Sequence, residues 1–277
     1  MKLSWGLVSL ALAIPNTLAQ VATCGTEETY TYDILNNTAA VRPRDTIYID
    51  LWIHFLVSSP GQANALIDNN GLYNQLAYLN GNYAPYGIQF ILKPVSYAMN
   101  ADWAASIDNS KAEKMSQLHR GDYKSLNVYL VEGGTYGLCS LPIASSDPVS
   151  QTDLDGDGCW IPLHSGVSVP DGTMTHEIGH WFGLLHVFEG GCSDGDFCAD
   201  TPAQASPSYS HMATPGDFNS CPPRDSCPAQ PGFDNIQNFM DYTDCSSLFT
   251  PCQGGRMVQI YQNYRANRAI AAGVLYK

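Results

Sequence analysis

Positive charge is scarce in this chain. Lys and Arg together number 13 against 26 Asp and Glu, a formal net charge of -13. Gripping a phosphate backbone needs clustered Lys and Arg, so this balance excludes nucleic acid as a partner. Long apolar runs are missing as well. After the first twenty residues no stretch approaches the roughly 20 apolar residues that a bilayer crossing needs, which excludes a membrane-spanning role. Internal repeats and low-complexity tracts are absent, so neither a solenoid nor an extended linker is expected. Charged residues make up only 14% of the chain and apolar ones 44%, with 24 Gly, 17 Pro and 16 Tyr. That mixture describes a globular, loop-rich protein and not a disordered one.

What is present begins with "MKLSWGLVSLALAIPNTLAQ". A lysine, a short apolar run and small residues at Thr17 and Ala19 are the layout of a secretory signal over residues 1–19. The product is expected to be secreted, extracellular and monomeric. Residues 20–44 are polar, without a clear period, and end in "VRPRD", a site open to proteolysis, so they read as a pro-segment. Residues 45–277 suffice for one catalytic domain, with an upper lobe over about 45–186 and a lower lobe over about 187–277. Nine cysteines are present, six of them after residue 190, in a stretch rich in Gly, Pro, Ser and Asp. Outside the cell most should pair, and the odd count leaves one over. Asn36 in "NNT" is a glycosylation acceptor, as suits an exported chain.

Alternation in "TIYIDLWIHFLV" places Ile47, Ile49, Leu51, Ile53 and Phe55 on one face of a strand. Helical spacing from Gln62 to about Asn80 (Ala65, Leu72, Leu76, Leu79) predicts a helix, despite Gly71. "IQFILKPV", "LNVYLVE", "YGLCSLPIA" and "CWIPLH" read as further strands and "KAEKMSQLH" as a short helix. "RMVQIYQNYRANRAI" aligns Met257, Ile260, Tyr261 and Tyr264 as a closing amphipathic helix. This order predicts a mixed sheet with a backing helix.

The informative stretch is "THEIGHWFGLLH". His176 and His180, four apart on a helix, stack on one face and can reach one metal ion. Glu177 stands beside them, placed to take a proton from a water that the metal activates. Gly183 can end the helix in the left-handed conformation, so that His186 swings back as a third ligand. Three nitrogens leave a position open for water, the mark of a catalytic zinc site. A pair of histidines alone is common in buried cores; five matching positions together point to zinc chemistry.

"HEIGHWFGLLH" resembles the extended zinc signature of the metzincin endopeptidases. "NIQNFMDYTDC", about fifty residues on, resembles their methionine turn. "NFMDY", "HVFEGGC" and "ADTPA" together are similar to the pappalysin-like branch, with its secreted extracellular metalloproteases, many of them fungal. The resemblance runs from about residue 45 and is most specific from 172 to 245. It implies an α+β zincin fold: a twisted mixed β-sheet with a backing helix and an active-site helix above, then an irregular, disulfide-rich lower lobe ending in a helix. It implies a metalloendopeptidase acting on protein or peptide substrates with one catalytic zinc. His176, His180 and His186 would be the ligands, Glu177 the general base, Met240 the floor beneath the histidines, and Tyr242 the oxyanion stabiliser. Substrate would add a strand to a sheet edge, for which "YGLCSLPIA" is the candidate.

The resemblance also implies the bridges Cys192–Cys227 and Cys221–Cys245. Cys139 and Cys159 flank a short excursion in the upper lobe and are expected to pair, and Cys198–Cys252 follows by elimination. Structural calcium is expected from Asp196, Asp200 and Thr201, although Cys198 interrupts their motif. "DLDGDG" (Asp153–Gly158) looks like the start of an EF-hand loop, yet its twelfth position is His164, and it reads as an acidic turn. Asp244, after the methionine turn, reads as a solvated loop residue. The ninth cysteine lies in "CGT", which matches the latency cysteine of pappalysin-like zymogens: Cys24 would block the zinc until cleavage near Arg42 to Asp45. A disulfide tether to the lower lobe is the alternative for Cys24. A non-catalytic binding protein on the same scaffold, or a zinc enzyme with a non-peptide substrate, would carry the same ligands.

Overall fold

The computed structural model describes residues 23–24, 45–61, 70–108, 111–145, 147–193, 195–208 and 221–277. The signal over 1–19, Asn36 and the Arg42–Arg44 part of the cleavage region lie outside them, and residues 20–44 are described only at 23–24. The strands are β1 (Thr23–Cys24), β2 (Ile47–Val57), β3 (Ile88–Leu92), β4 (Ser96–Met99), β5 (Leu126–Val131), β6 (Tyr136–Cys139) and β7 (Cys159–Pro162). The helices are α1 (Gly71–Tyr83), α2 (Ala101–Ala105), α3 (Lys111–Leu118), α4 (Gln151–Asp155), α5 (Thr173–Trp181) and α6 (Pro251–Tyr261), the last continuing into a π-helical segment, Gln262–Ala266. The fold is α+β.

The sheet runs β1-β6-β7-β5-β2-β3, with β4 also on β2. Strand β2 is long enough to hold two neighbours on one side. Ile47–Leu51 pair with β3, and His54–Val57 pair with β4. Every pairing is parallel except β6 with β7. On β2, Ile49, Leu51, Ile53 and Phe55 are buried on one face, where α1, α5 and α6 supply Leu79, Tyr83, Ile178, Trp181 and Met257. The second half of β2 is buried on both faces, because Trp103, Ile107 and Met115 cover Leu56 and Trp160 from the other side. A central strand of a mostly parallel sheet reads as a continuous apolar run for this reason.

The backing helix differs from the expectation. Pro60 and Gly61 are helical, residues 62–69 lie outside the described part, and α1 begins at Gly71, behind Asn70 at φ 51. Gly71 therefore starts the helix and does not interrupt it. A Cβ there would fall 2.5 Å from the Val167 carbonyl oxygen, so the close approach requires glycine. Tyr83 at the far end donates its hydroxyl to Thr175 O (2.9 Å), and Asn82 Nδ2 donates to Thr175 Oγ1 (3.0 Å). The backing helix thus fixes the start of α5.

After α5 the described chain carries no helix until α6 and no named strand. Cross-links stand in for secondary structure: Cys192–Cys227, Cys221–Cys245 and the Arg224–Asp234 ion pair at 2.9 Å. Helix α6 opens with proline at its first turn and a reciprocal Thr250/Gln253 capping box. Truncating Ile53 to Ala at the fully buried middle of β2 should cost about 2–5 kcal/mol in urea unfolding; a loss below about 1 kcal/mol would contradict its place in the core.

Candidate active site

Helix α5, TMTHEIGHW, is buried from Met174 to Trp181. Its end is built by sequence. Gly183 takes φ +87, which glycine adopts without a Cβ penalty. Its N–H donates to His180 O (2.7 Å), and Leu184 N–H reaches back to Gly179 O (3.0 Å). These two bonds are the Schellman closure of a helix C-terminus. The turn delivers His186 to the face that carries His176 and His180.

The three Nε2 atoms lie 3.2, 3.2 and 3.3 Å apart. Two of the rings have their other nitrogen committed to a carbonyl. His176 Nδ1 lies 2.6 Å from Phe239 O, and His180 Nδ1 lies 2.9 Å from Leu184 O. A carbonyl only accepts, so each Nδ1 carries the proton and each Nε2 presents its lone pair. Burial, and for His176 and His180 their histidine neighbours, hold all three imidazoles neutral: His176 falls to about 3, His186 to about 4, and His180 well below its ordinary value. Lone pairs brought this close in a buried site repel one another without a cation. The centre of the nitrogen triangle lies about 1.9 Å from each, close to a zinc–imidazole bond of about 2.0–2.1 Å. The donor set fits zinc.

The methionine turn closes the site from below. Met240 is fully buried, and its sulfur lies 2.6 Å from where a Cβ on Gly179 would sit. Its carbonyl accepts from Val187 N–H (3.2 Å), just after the third histidine, while the carbonyl of Phe239 orients the first. The turn is itself held by Asn238, which exchanges amide hydrogen bonds with Gln253 of α6 (2.8 and 3.2 Å). Tyr242 is half-buried beside the histidines, its ring centroid 5.6 Å from His176 and 4.9 Å from His186.

Glu177 is buried, and its carboxyl lies against Gly137 of β6. A Cβ at Gly137 would overlap Glu177 Oε1, Cγ and Cδ. Sequence reading missed Gly137, since nothing local marks it; only the sheet brings it to the helix. Strand β1 lies along the same edge, with Cys24 in register opposite Gly137. Asp244 is half-buried, not solvated, and burial followed by the Asp171 charge raises its pKa.

Cys139–Cys159, Cys192–Cys227 and Cys221–Cys245 are bridged. The pairing of Cys198 with Cys252 is corrected: both are buried thiols within 4.8 Å of each other and of an Asp200 oxygen. Hydrogen bonds engage these thiols. Cys252 donates to Phe197 O at 3.8 Å, and the contact with Cys252 raises the Cys198 pKa. Two of the three calcium candidates, Asp196 and Thr201, are hydrogen-bonded to each other. Thr201 Oγ1 donates to Asp196 Oδ2 (2.6 Å), and Asp200 accepts Cys252 N–H (2.9 Å). Among the described residues no cluster of carboxylates gathers there. "DLDGDG" forms the end of α4 and the turn after it. Asp153 caps α4 with Ser150, and Asp157 is buried in an ion pair with Arg265.

The comparisons agree with this geometry. The profile of the pregnancy-associated plasma protein-A peptidases (peptidase family M43) matches residues 109–262. An extracellular metalloprotease of Neurospora crassa is 39% identical over 81% of this chain and 78% of its own length. One of Colletotrichum graminicola is 42% identical over 80% and 78%. A solved structure of a Tannerella forsythia promirolysin mutant, 24% identical, shares the fold at a TM-score of 0.62 over 82% of this chain and 84% of that one. With three histidines built to hold a metal, typically zinc in such peptidases, the chain belongs to the pregnancy-associated plasma protein-A family of metalloendopeptidases.

Proposed function

We propose that this is a secreted zinc endopeptidase in which Glu177 is the general base. The observation that carries this reading is the carboxyl of Glu177, next to His176 on α5, lying against Gly137 at the sheet edge while the three histidines gather for a metal. Zinc held by His176, His180 and His186 would supply a Lewis acid and lower the pKa of water towards 7. Glu177 takes the proton of the attacking water and passes it to the leaving amine. Tyr242, next to two of the histidines, offers its phenol to the oxyanion of the tetrahedral intermediate. Without β1, the outermost strand is β6, which runs antiparallel to its neighbour β7. An extended substrate adds to that edge and places a peptide bond over Gly137 and Glu177.

Export is supported by the signal layout, by three bridges that need an oxidising compartment, and by the relatives named extracellular metalloproteases. Among the described residues no helix is long and apolar enough to cross a membrane. Residues 20–44 act as a pro-segment. Its strand β1 occupies the substrate's edge and brings Cys24 level with Gly137, so cleavage near Arg42 to Asp45 frees edge and metal together. The thiol of Cys24 is the latency ligand in this reading.

Replacing Glu177 with Gln should lower hydrolysis of a denatured protein substrate by about 10²- to 10⁴-fold with zinc still bound; undiminished hydrolysis would sink the assignment. A methyl at Gly137 displaces the general base, so Gly137→Ala should reduce kcat on the order of tenfold or more at full zinc occupancy. Wild-type kcat in that variant would mean that the strand does not position Glu177. Precursor carrying Cys24→Ala should be more active before cleavage than the unaltered precursor, although β1 still covers the edge; if it stays as latent, the thiol is not a blocking group.

A further inference from the structure

Two buried arginines lie near the metal centre, and the chemistry above uses neither. Arg256 on α6 and Arg265 on the π segment are each 1% exposed. Arg256 Nε donates to Gly183 O at 3.0 Å, and Arg265 Nε donates to Trp181 O at 3.0 Å. Both carbonyls belong to the C-terminal end of α5, where helix carbonyls lack intrahelical partners and the dipole is negative. Two guanidinium groups therefore close the end of the helix that carries the first two metal ligands and leads to the third.

Arg265 is fixed in turn. It binds Asp157 through both ends of its fork, at 2.8 and 3.0 Å, and lies 3.8 Å from the centre of the Trp181 ring. Trp181 Nε1 donates to the same carboxylate at 3.0 Å. Nine positions along an unbroken α-helix would put Arg256 and Arg265 about 180° apart. The wider turn of the π segment narrows that angle, and both side chains reach one helix end. A buried ion pair is a poor source of stability, because desolvation offsets much of its attraction. Its worth here is geometric.

We propose that Arg256 and Arg265 are positioning residues for the metal ligands, clamping the Trp181–Gly183 turn so that His186 meets His176 and His180. The link is short. The Gly183 turn that Arg256 holds also contains Leu184, whose carbonyl orients His180. The inference rests on the three histidines being the zinc site.

The test measures zinc dissociation constants by chelator competition on the purified enzyme, with kcat and KM on a peptide substrate. Arg256→Met should weaken zinc binding on the order of 10- to 100-fold, as loss of outer-sphere support does. It should also lower kcat more than it raises KM. Arg256→Lys, which keeps a cationic donor, should recover most of that loss. Arg265→Met should act in the same direction. Wild-type zinc affinity in folded Arg256→Met, even at a lower Tm, would overturn the proposal and leave a purely structural role. So would a Lys variant no better than Met. Where Arg256→Met does not fold, Arg265→Met decides: weaker zinc binding supports the clamp, and unchanged binding overturns it. Unaltered enzyme that binds no zinc would instead bring down the metal-site reading itself.

Discussion

Three imidazole nitrogens, on neutral and buried rings, stand 3.2–3.3 Å apart, with the lone pairs of His176 and His180 turned inward. Packing alone would not choose this arrangement, because the lone pairs repel and burial penalises any proton that might separate them. A divalent cation removes the conflict. The surrounding structure follows from holding the three rings in that position: a glycine turn ends the helix, two carbonyls fix the tautomers, and a methionine turn fills the space beneath.

The sheet serves the same centre from the other side. Strand β6 reaches Glu177 only because Gly137 has no side chain, so the proposed general base and the proposed edge for an extended peptide come together at one residue. In the proposed reading the same edge is also where the enzyme is silenced. A short strand from the N-terminal segment lies parallel on β6 and excludes any other occupant. In that proposed reading one edge serves both recognition and latency.

How much of this could be read in advance depended on distance along the chain. The helix from Thr173, its turn at Gly183 and the third histidine are local and were legible, since helical periodicity and glycine's conformational freedom fix them over eleven residues, from 176 to 186. Strand β2 was legible from alternation, although burial of both faces in its second half came from residues about fifty or more positions away, such as Trp103 and Met115. Gly137 was not legible, because its role arises from strand pairing against a helix. The surroundings of "DLDGDG" were hidden for the same reason: the partner of Asp157 is 108 residues away. Arg256 and Arg265 would fall on opposite sides of a regular helix, and only the π segment reveals their common target. The Cys198–Cys252 pairing rested on counting thiols, which carries no geometry.

X-ray absorption at the zinc edge on the purified, activated enzyme tests the metal centre most directly. One zinc per chain with three nitrogen ligands at about 2.0–2.1 Å and one oxygen is the predicted result. A first shell containing two or more sulfurs at about 2.3 Å would place the metal at Cys198 and Cys252 and contradict the histidine site.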